Sequence, residues 1–173
     1  MNVNTIETIC KACQRYRLQE RGLRTEIQHL MKLIEHNQYV YWFRWLNTED
    51  IVRDIMSTHP NSIKLLNWFS IVLICDTTYK TNKYCLLLLE IVGITSTSMT
   101  SVVTFAYLSY EKTYNFEWTL SKLKWLFVKY DVLSQVIVSD KDLVFNNALE
   151  IVFPSSTNLL CLFHITKNQN HRG

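Results

Sequence analysis

The chain has 173 residues, a net charge of +3, 48% hydrophobic residues, 13% aromatic residues and 19% charged residues. That is long enough for one domain with a substantial core, and with only three glycines and two prolines it excludes a disordered or collagen-like chain. The mildly basic balance permits a nucleic-acid partner without arguing for one.

The five cysteines are Cys10, Cys13, Cys75, Cys85 and Cys161. Their number is odd, and Cys75, Cys85 and Cys161 lie in apolar runs, which reads as reduced thiols of a cytosolic or nuclear protein. Met1–Glu7 lacks the charged and apolar regions of a secretory signal. The Leu86–Leu89 run is interrupted by Glu90, so no segment reaches the roughly 20 apolar residues of a membrane span, and no membrane partner is expected.

Residues 5–36 read as helical, with Ile27, Leu30, Met31 and Ile34 forming one apolar stripe and Gly22 marking a break between two helices. Arg17, Arg21 and Arg24 follow at i, i+4, i+7, with Lys11 and Arg15 nearby: a solvated helical face, or one that contacts DNA phosphates. Tyr39–Phe43 is either an extended segment or an aromatic helix start. Thr48 is placed to cap a further helix, with Glu49 and Asp50 at its positive end, burying Ile51, Val52, Ile55 and Met56 and stopping before Pro60.

After Pro60 the pattern changes. Apolar runs at 69–75, 84–94 and 101–108, separated by turn signals, predict a meander of three strands. Phe116, Leu120, Leu123 and Phe127 predict a helix over 115–130. A strand at 135–139, a short helix from Lys141 to Val152 ended by Pro154, and a strand at 158–163 complete a β-β-β-α-β-α-β order. The expected organisation is a helical N-terminal region, residues 1–60, before a mixed α/β domain, residues 61–173.

Two carboxylates stand out. Asp76 closes Ser70-Ile71-Val72-Leu73-Ile74-Cys75-Asp76, and Asp140 closes Gln135-Val136-Ile137-Val138-Ser139-Asp140. An aspartate at the end of a buried strand is held rigidly, and two on neighbouring strands can share divalent ions, because hard cations prefer oxygen ligands. Asp142 reads as a first-turn helix acid rather than a ligand.

Asp76-Thr77-Thr78-Tyr79-Lys80-Thr81-Asn82-Lys83-Tyr84 resembles the first catalytic-aspartate motif of Mutator-like (MULE) transposases. Glu90–Ser96 resembles their second strand and turn. Thr104–Leu108 with Glu111, then Asn115-Phe116-Glu117-Trp118, resembles their third strand and the start of the following helix. Val136–Asp142 is similar to the second catalytic-aspartate motif. Leu159–Asn168 is similar to the family's Cys-x-x-His segment, here Cys161 and His164. The chain departs from the family's usual pattern at Ser57, Leu87 and Val144-Phe145-Asn146, none of which is a metal ligand.

The resemblance implies a ribonuclease H-like mixed sheet, incomplete at its C-terminus, and an intact-family activity of metal-dependent DNA strand cleavage and transfer. It implies Asp76 and Asp140 as catalytic metal ligands, Mg²⁺ or Mn²⁺ as cofactor, transposon-end DNA as partner, a homo-oligomer in the intact family, and the nucleus as location. The family's third acid, a glutamate, lies well downstream. No glutamate follows Glu150, so the expectation is a fragment that is inactive alone. Transposase-derived DNA-binding transcription regulators, of the far-red-impaired-response type, share the same core and are the alternative.

Lys80 and Lys141 flank the two acids and read either as phosphate contacts or as solvated lysines. Cys161 and His164 have either a structural role or one in organising the site. Two such residues do not make a tetrahedral zinc site, and Cys10-x-x-Cys13 with His29 and His36 fits no common zinc finger, so no zinc is expected.

Overall fold

The computed structural model describes residues 3–46, 51–69, 71–79, 82–128, 136–140 and 142–161. Helix α1 spans Val3–Arg21 and α2 spans Glu26–His36. Gly22, at φ +59°, makes the break between them, a left-handed conformation that glycine adopts without steric cost. Thr25 then caps α2 in a reciprocal box: its hydroxyl accepts from the Gln28 N–H at 3.2 Å, and Gln28 Oε1 accepts from the Thr25 N–H at 2.9 Å. Ile34 is the buried member of the expected apolar stripe.

The helix expected after Thr48 is replaced by a strand. Residues 47–50 lie outside the described residues, but Val40–Trp45 forms β1 and Val52–Thr58 forms β2, paired antiparallel from Val40↔Thr58 to Trp45↔Val52. The aromatic segment 39–43 is thereby resolved as extended. The sequence misleads because Asp54, Ile55 and Met56 are buried in succession along β2, so no two-residue alternation shows. The helical N-terminal region therefore ends at His36 rather than reaching residue 60. Met1–Gln38 and Tyr39–Gly173 are the two compact units.

Pro60 starts a helix instead of following one. It occupies the first turn of α3, Pro60–Trp68, where its missing N–H costs nothing, and the His59 ring nitrogen accepts from the Asn61 N–H at 3.1 Å.

From there the expected order holds. Strands β3 (Val72–Thr78), β4 (Leu87–Ile94) and β5 (Thr100–Leu108) form the antiparallel meander. Helix α4 (Thr113–Trp125) leads to β6 (Val136–Ser139), and α5 (Leu143–Val152) leads to β7 (Thr157–Leu160). The mixed sheet runs β1-β2-β5-β4-β3-β6-β7, with β6 parallel to both β3 and β7.

One face of this sheet holds the core. Met56, Leu73, Leu89, Ile91, Ala106 and Ile137 join Leu66 of α3, Phe116 and Leu120 of α4, and Phe145 and Leu149 of α5 in one buried cluster. Phe116 and Phe145 meet edge to face at 5.1 Å and 87°, which fixes α4 against α5. Lys124 Nζ adds a hydrogen bond to the last-turn carbonyl of Val152 at 2.9 Å.

Candidate functional site

Side chains alternate along β3, and the alternation sets the site. Leu73 and Cys75 are buried on the helix-covered face, so Asp76 points to the opposite one and is exposed. Its partner across the β3–β4 ladder is Glu90, whose partner on β5 is Phe105. Residues directly opposite share a face, with strands about 4.8 Å apart.

Asp140 joins the same row from the other side. The parallel register Val72↔Val136, Leu73↔Ile137, Ile74↔Val138, continued past Ser139, brings Asp140 beside Asp76. Both carboxylates act on the Cys75 thiol. Burial first, then the charges of Asp140 and Asp76, push it up to about 12. The expected pairing of the two aspartate-bearing strands as parallel neighbours is thus present.

Cys161 extends the row further. Its N–H donates to the Ser139 carbonyl at 2.6 Å, so pairing with β6 continues one residue beyond β7 and Cys161 comes opposite Asp140. Its partner in the motif, His164, lies outside the described residues, as do Lys80 and Lys141. Beneath Asp140 the buried Ser139 hydroxyl is 2.9 Å from Asn146 Oδ1 and 3.0 Å from Asn158 Oδ1. Asn146, a departure from the family's usual residue, thereby ties α5 and β7 to the strand that carries Asp140.

The loop after Asp140 opens α5. Asp142 is its N-cap, with Oδ1 accepting from the Val144 N–H at 2.8 Å, as expected of a helix acid. Its Oδ2 is buried and takes no N–H donor.

Sequence reasoning named Glu111 in the third-strand motif but did not place it beside Asp142. It lies between β5 and α4, within hydrogen-bonding reach of Asp142. Partial burial first, then Asp142, then the charge of Asp140, raise its carboxyl above the ordinary value. No periodicity marks it, because the contact is made between loops distant in sequence.

A buried polar cluster holds that loop. Asp54 is fully buried and accepts from the Ser109 N–H at 2.8 Å and Oγ at 3.0 Å. Its other oxygen takes Arg44 at 2.9 Å and Arg53 at 2.6 Å. Arg44 also donates to Asn115 at 2.5 Å and lies over the Trp118 ring at 4.5 Å. Asn115 in turn donates to the Tyr110 carbonyl at 2.7 Å.

The arginine face is divided by the helix end. Arg17 is exposed on α1, Arg21 is its last residue and is ion-paired with Glu26, and Arg24 lies in the turn with Nη1 donating to the Arg21 carbonyl at 3.1 Å. Cys10 and Cys13 are exposed free thiols on α1.

Among the described residues no three His, Cys, Asp or Glu side chains already converge as a metal cage. The donors do suit a hard divalent ion. Asp76 on β3 and Asp140 directly after β6 would offer it carboxylate oxygens. Among the described residues no helix is long and apolar enough to cross a membrane.

A three-stranded meander followed by an α-linked parallel strand, with one aspartate on β3 and another directly after β6, is the ribonuclease H-like class of α/β domain. The sequence matches the MULE transposase domain over residues 72–168, more than half of its length, and the chain belongs to that family. It is also 33% identical over 97 residues to the PKS-NRPS hybrid synthetase cheA of Chaetomium globosum. That match takes in 56% of this chain and 2% of the synthetase.

Proposed function

We propose that this chain is part of the catalytic core of a Mutator-like DNA transposase, in which Asp76 and Asp140 are the first two metal-binding acids. The observation that supports this reading is the parallel pairing of β3, which carries Asp76, with β6, which Asp140 directly follows. Bound Mg²⁺ or Mn²⁺ would supply Lewis acidity toward a water or a DNA 3′ hydroxyl and toward the leaving oxygen. The chain's own part is to hold that chemistry in place. Asp76 is fixed mid-ladder against β4, and Asp140 is fixed at the end of a strand braced by Asn146 and Asn158. Lys80 and Lys141, beside the two acids in sequence, contact DNA phosphates, and Cys161 with His164 organises the β7 side of the row. Arg17, Arg21 and Arg24 add phosphate contacts from the N-terminal unit. The protein acts on transposon ends in the nucleus, as a homo-oligomer when intact.

Calorimetric titration of the purified chain with Mn²⁺ tests the reading. Binding should be present in the wild type and strongly weakened in both Asp76→Asn and Asp140→Asn. Unchanged affinity in both variants would remove the two aspartates from any metal site.

A further inference from the structure

We propose that the turn bearing Tyr110, Lys112 and Tyr114 grips a DNA strand: the Lys112 ammonium takes a phosphate, and the two tyrosine rings stack on unpaired bases. The inference rests on the transposase reading above, since the strand it holds is the one presented to Asp76 and Asp140. Three features of the molecule carry it.

The first is the make-up of the turn. Tyr110 is 57% exposed and Tyr114 46% exposed. Lys112 is exposed as well, with its Nζ 5.7 Å from the centre of the Tyr110 ring and 5.9 Å from that of Tyr114. A cation beside two exposed rings suits a single strand, because the charge meets the backbone and every base has a π-face to stack. Lys112 is also a poor residue for its own place. It is the N-cap of α4, makes no side-chain cap, and sets a positive charge at the positive end of the helix. Local stability does not account for a lysine there.

The second is the mounting. Ser109 donates twice to the buried Asp54. The Tyr110 carbonyl accepts from Asn115 Nδ2 at 2.7 Å and from the Lys112 N–H at 3.1 Å, and the Lys112 carbonyl accepts from the Asn115 N–H at 2.9 Å. Asn115 is itself fully buried and bonded to Arg44. The turn thus presents three exposed side chains on a backbone tied to a buried polar cluster. A backbone fixed in advance gives up less freedom on binding.

The third is the location. β3 and β5 are both antiparallel to β4, and β6 is parallel to β3, so these three strands end at one edge of the sheet. The turn opens directly after β5, Asp140 directly follows β6, and Asp76 lies two residues before the end of β3. A strand reaching the two aspartates meets this edge.

A competing account is that Lys112 and the tyrosines merely hold the start of α4. That role would lower the denaturation midpoint and leave the DNA affinity of the folded chain unchanged. The experiment is metal-free fluorescence anisotropy of the 173-residue chain with a labelled single strand of DNA, and with the blunt duplex of the same sequence, across a salt series. The variants are Lys112→Gln, Tyr110→Ala, Tyr114→Ala, Tyr110→Phe and Tyr114→Phe. The controls are Lys64→Gln and Trp68→Ala, both exposed on α3, which leads into the start of β3. Each is checked for the wild-type circular dichroism spectrum. Lys112→Gln should make the single-strand log–log slope shallower by about 0.7, the value of one phosphate contact. Each tyrosine-to-alanine change should weaken the single strand by at least about fivefold, the lower end of what one base stack contributes, and the duplex by less. The phenylalanine variants, which keep the ring, should bind as the wild type does, and so should the controls. An unchanged slope in Lys112→Gln, wild-type affinity in both alanine variants, or equal losses on the duplex or in the controls overturns the role of the turn and leaves the two-aspartate reading standing. A wild-type chain that binds neither DNA overturns the role of the turn and the DNA-acting reading together.

Discussion

Asp54 lies on β2 and Ser109 directly follows its neighbour β5, and one buried carboxylate oxygen of Asp54 takes both the backbone N–H and the hydroxyl of Ser109. The other oxygen of Asp54 is held by Arg44 and Arg53. A single aspartate on the unexpected strand β2 thus secures the start of the loop that carries Glu111.

Asp54→Ala should be strongly destabilising. It leaves the partly buried Arg44, whose guanidinium burial already pushes below its ordinary value, without its main counter-charge. Breaking such a pair costs about 3–5 kcal/mol when it is buried, and somewhat less here because the arginines are partly solvated. Urea denaturation of the variant reads the loss directly. A midpoint equal to that of the wild type would show that the cluster contributes nothing net.

Phe116→Ala should cost about 3–5 kcal/mol, because the ring is fully buried between the sheet and α5 and little can collapse into its place. A double-mutant cycle of Phe116→Leu with Phe145→Leu should return a coupling of about 0.5–1.5 kcal/mol for the edge-to-face pair. Strict additivity would mean that the rings act only through the area they bury.

Thiol chemistry should divide the cysteines. In the native chain Cys10, Cys13 and Cys85 are exposed and should react with a disulfide reagent at neutral pH, while Cys75 should react only after unfolding. The native Cys75 thiol keeps its proton up to about 12, whereas an ordinary thiol loses it near 9.0. The folded state therefore binds more protons in that window. The contribution of Cys75 to stability is complete below pH 9.0 and is lost as pH rises toward about 12. Cys75→Ala should flatten the alkaline decline seen in denaturation midpoints between those limits. An alkaline decline identical in the two proteins would assign it to other groups.

DNA binding through the N-terminal unit should depend more on Arg17 than on Arg21. Arg17 is exposed, whereas Arg21 already has Glu26 as an ion partner and must break that contact to meet a phosphate. Fluorescence anisotropy across a salt series should show a log–log slope shallower by about 0.9 for Arg17→Gln, the value of one phosphate contact, and a smaller change for Arg21→Gln. Equal slopes in both variants and the wild type would return this face to ordinary solvated surface.

Local signals were enough for much of this protein. The runs at 69–75, 84–94 and 101–108 became β3, β4 and β5, and the four-residue spacing from Phe116 to Leu120 became the buried face of α4, because those elements bury one face and so display their own period. The apolar runs before Asp76 and Asp140 likewise marked strands that proved to be parallel neighbours. Three features were decided only by the tertiary structure. Val52–Thr58 reads as a helix in isolation and becomes a strand because β1 and β5 pair with its two edges. Pro60 reads as a stop and becomes a start because His59 turns back to cap the chain beyond it. The row Cys161–Asp140–Asp76–Glu90, with Glu111 reaching Asp142 at its end, joins strands and loops far apart in the chain. Its members are neighbours through strand register and loop anchoring, which are set by how the sheet pairs and are not written in any local pattern.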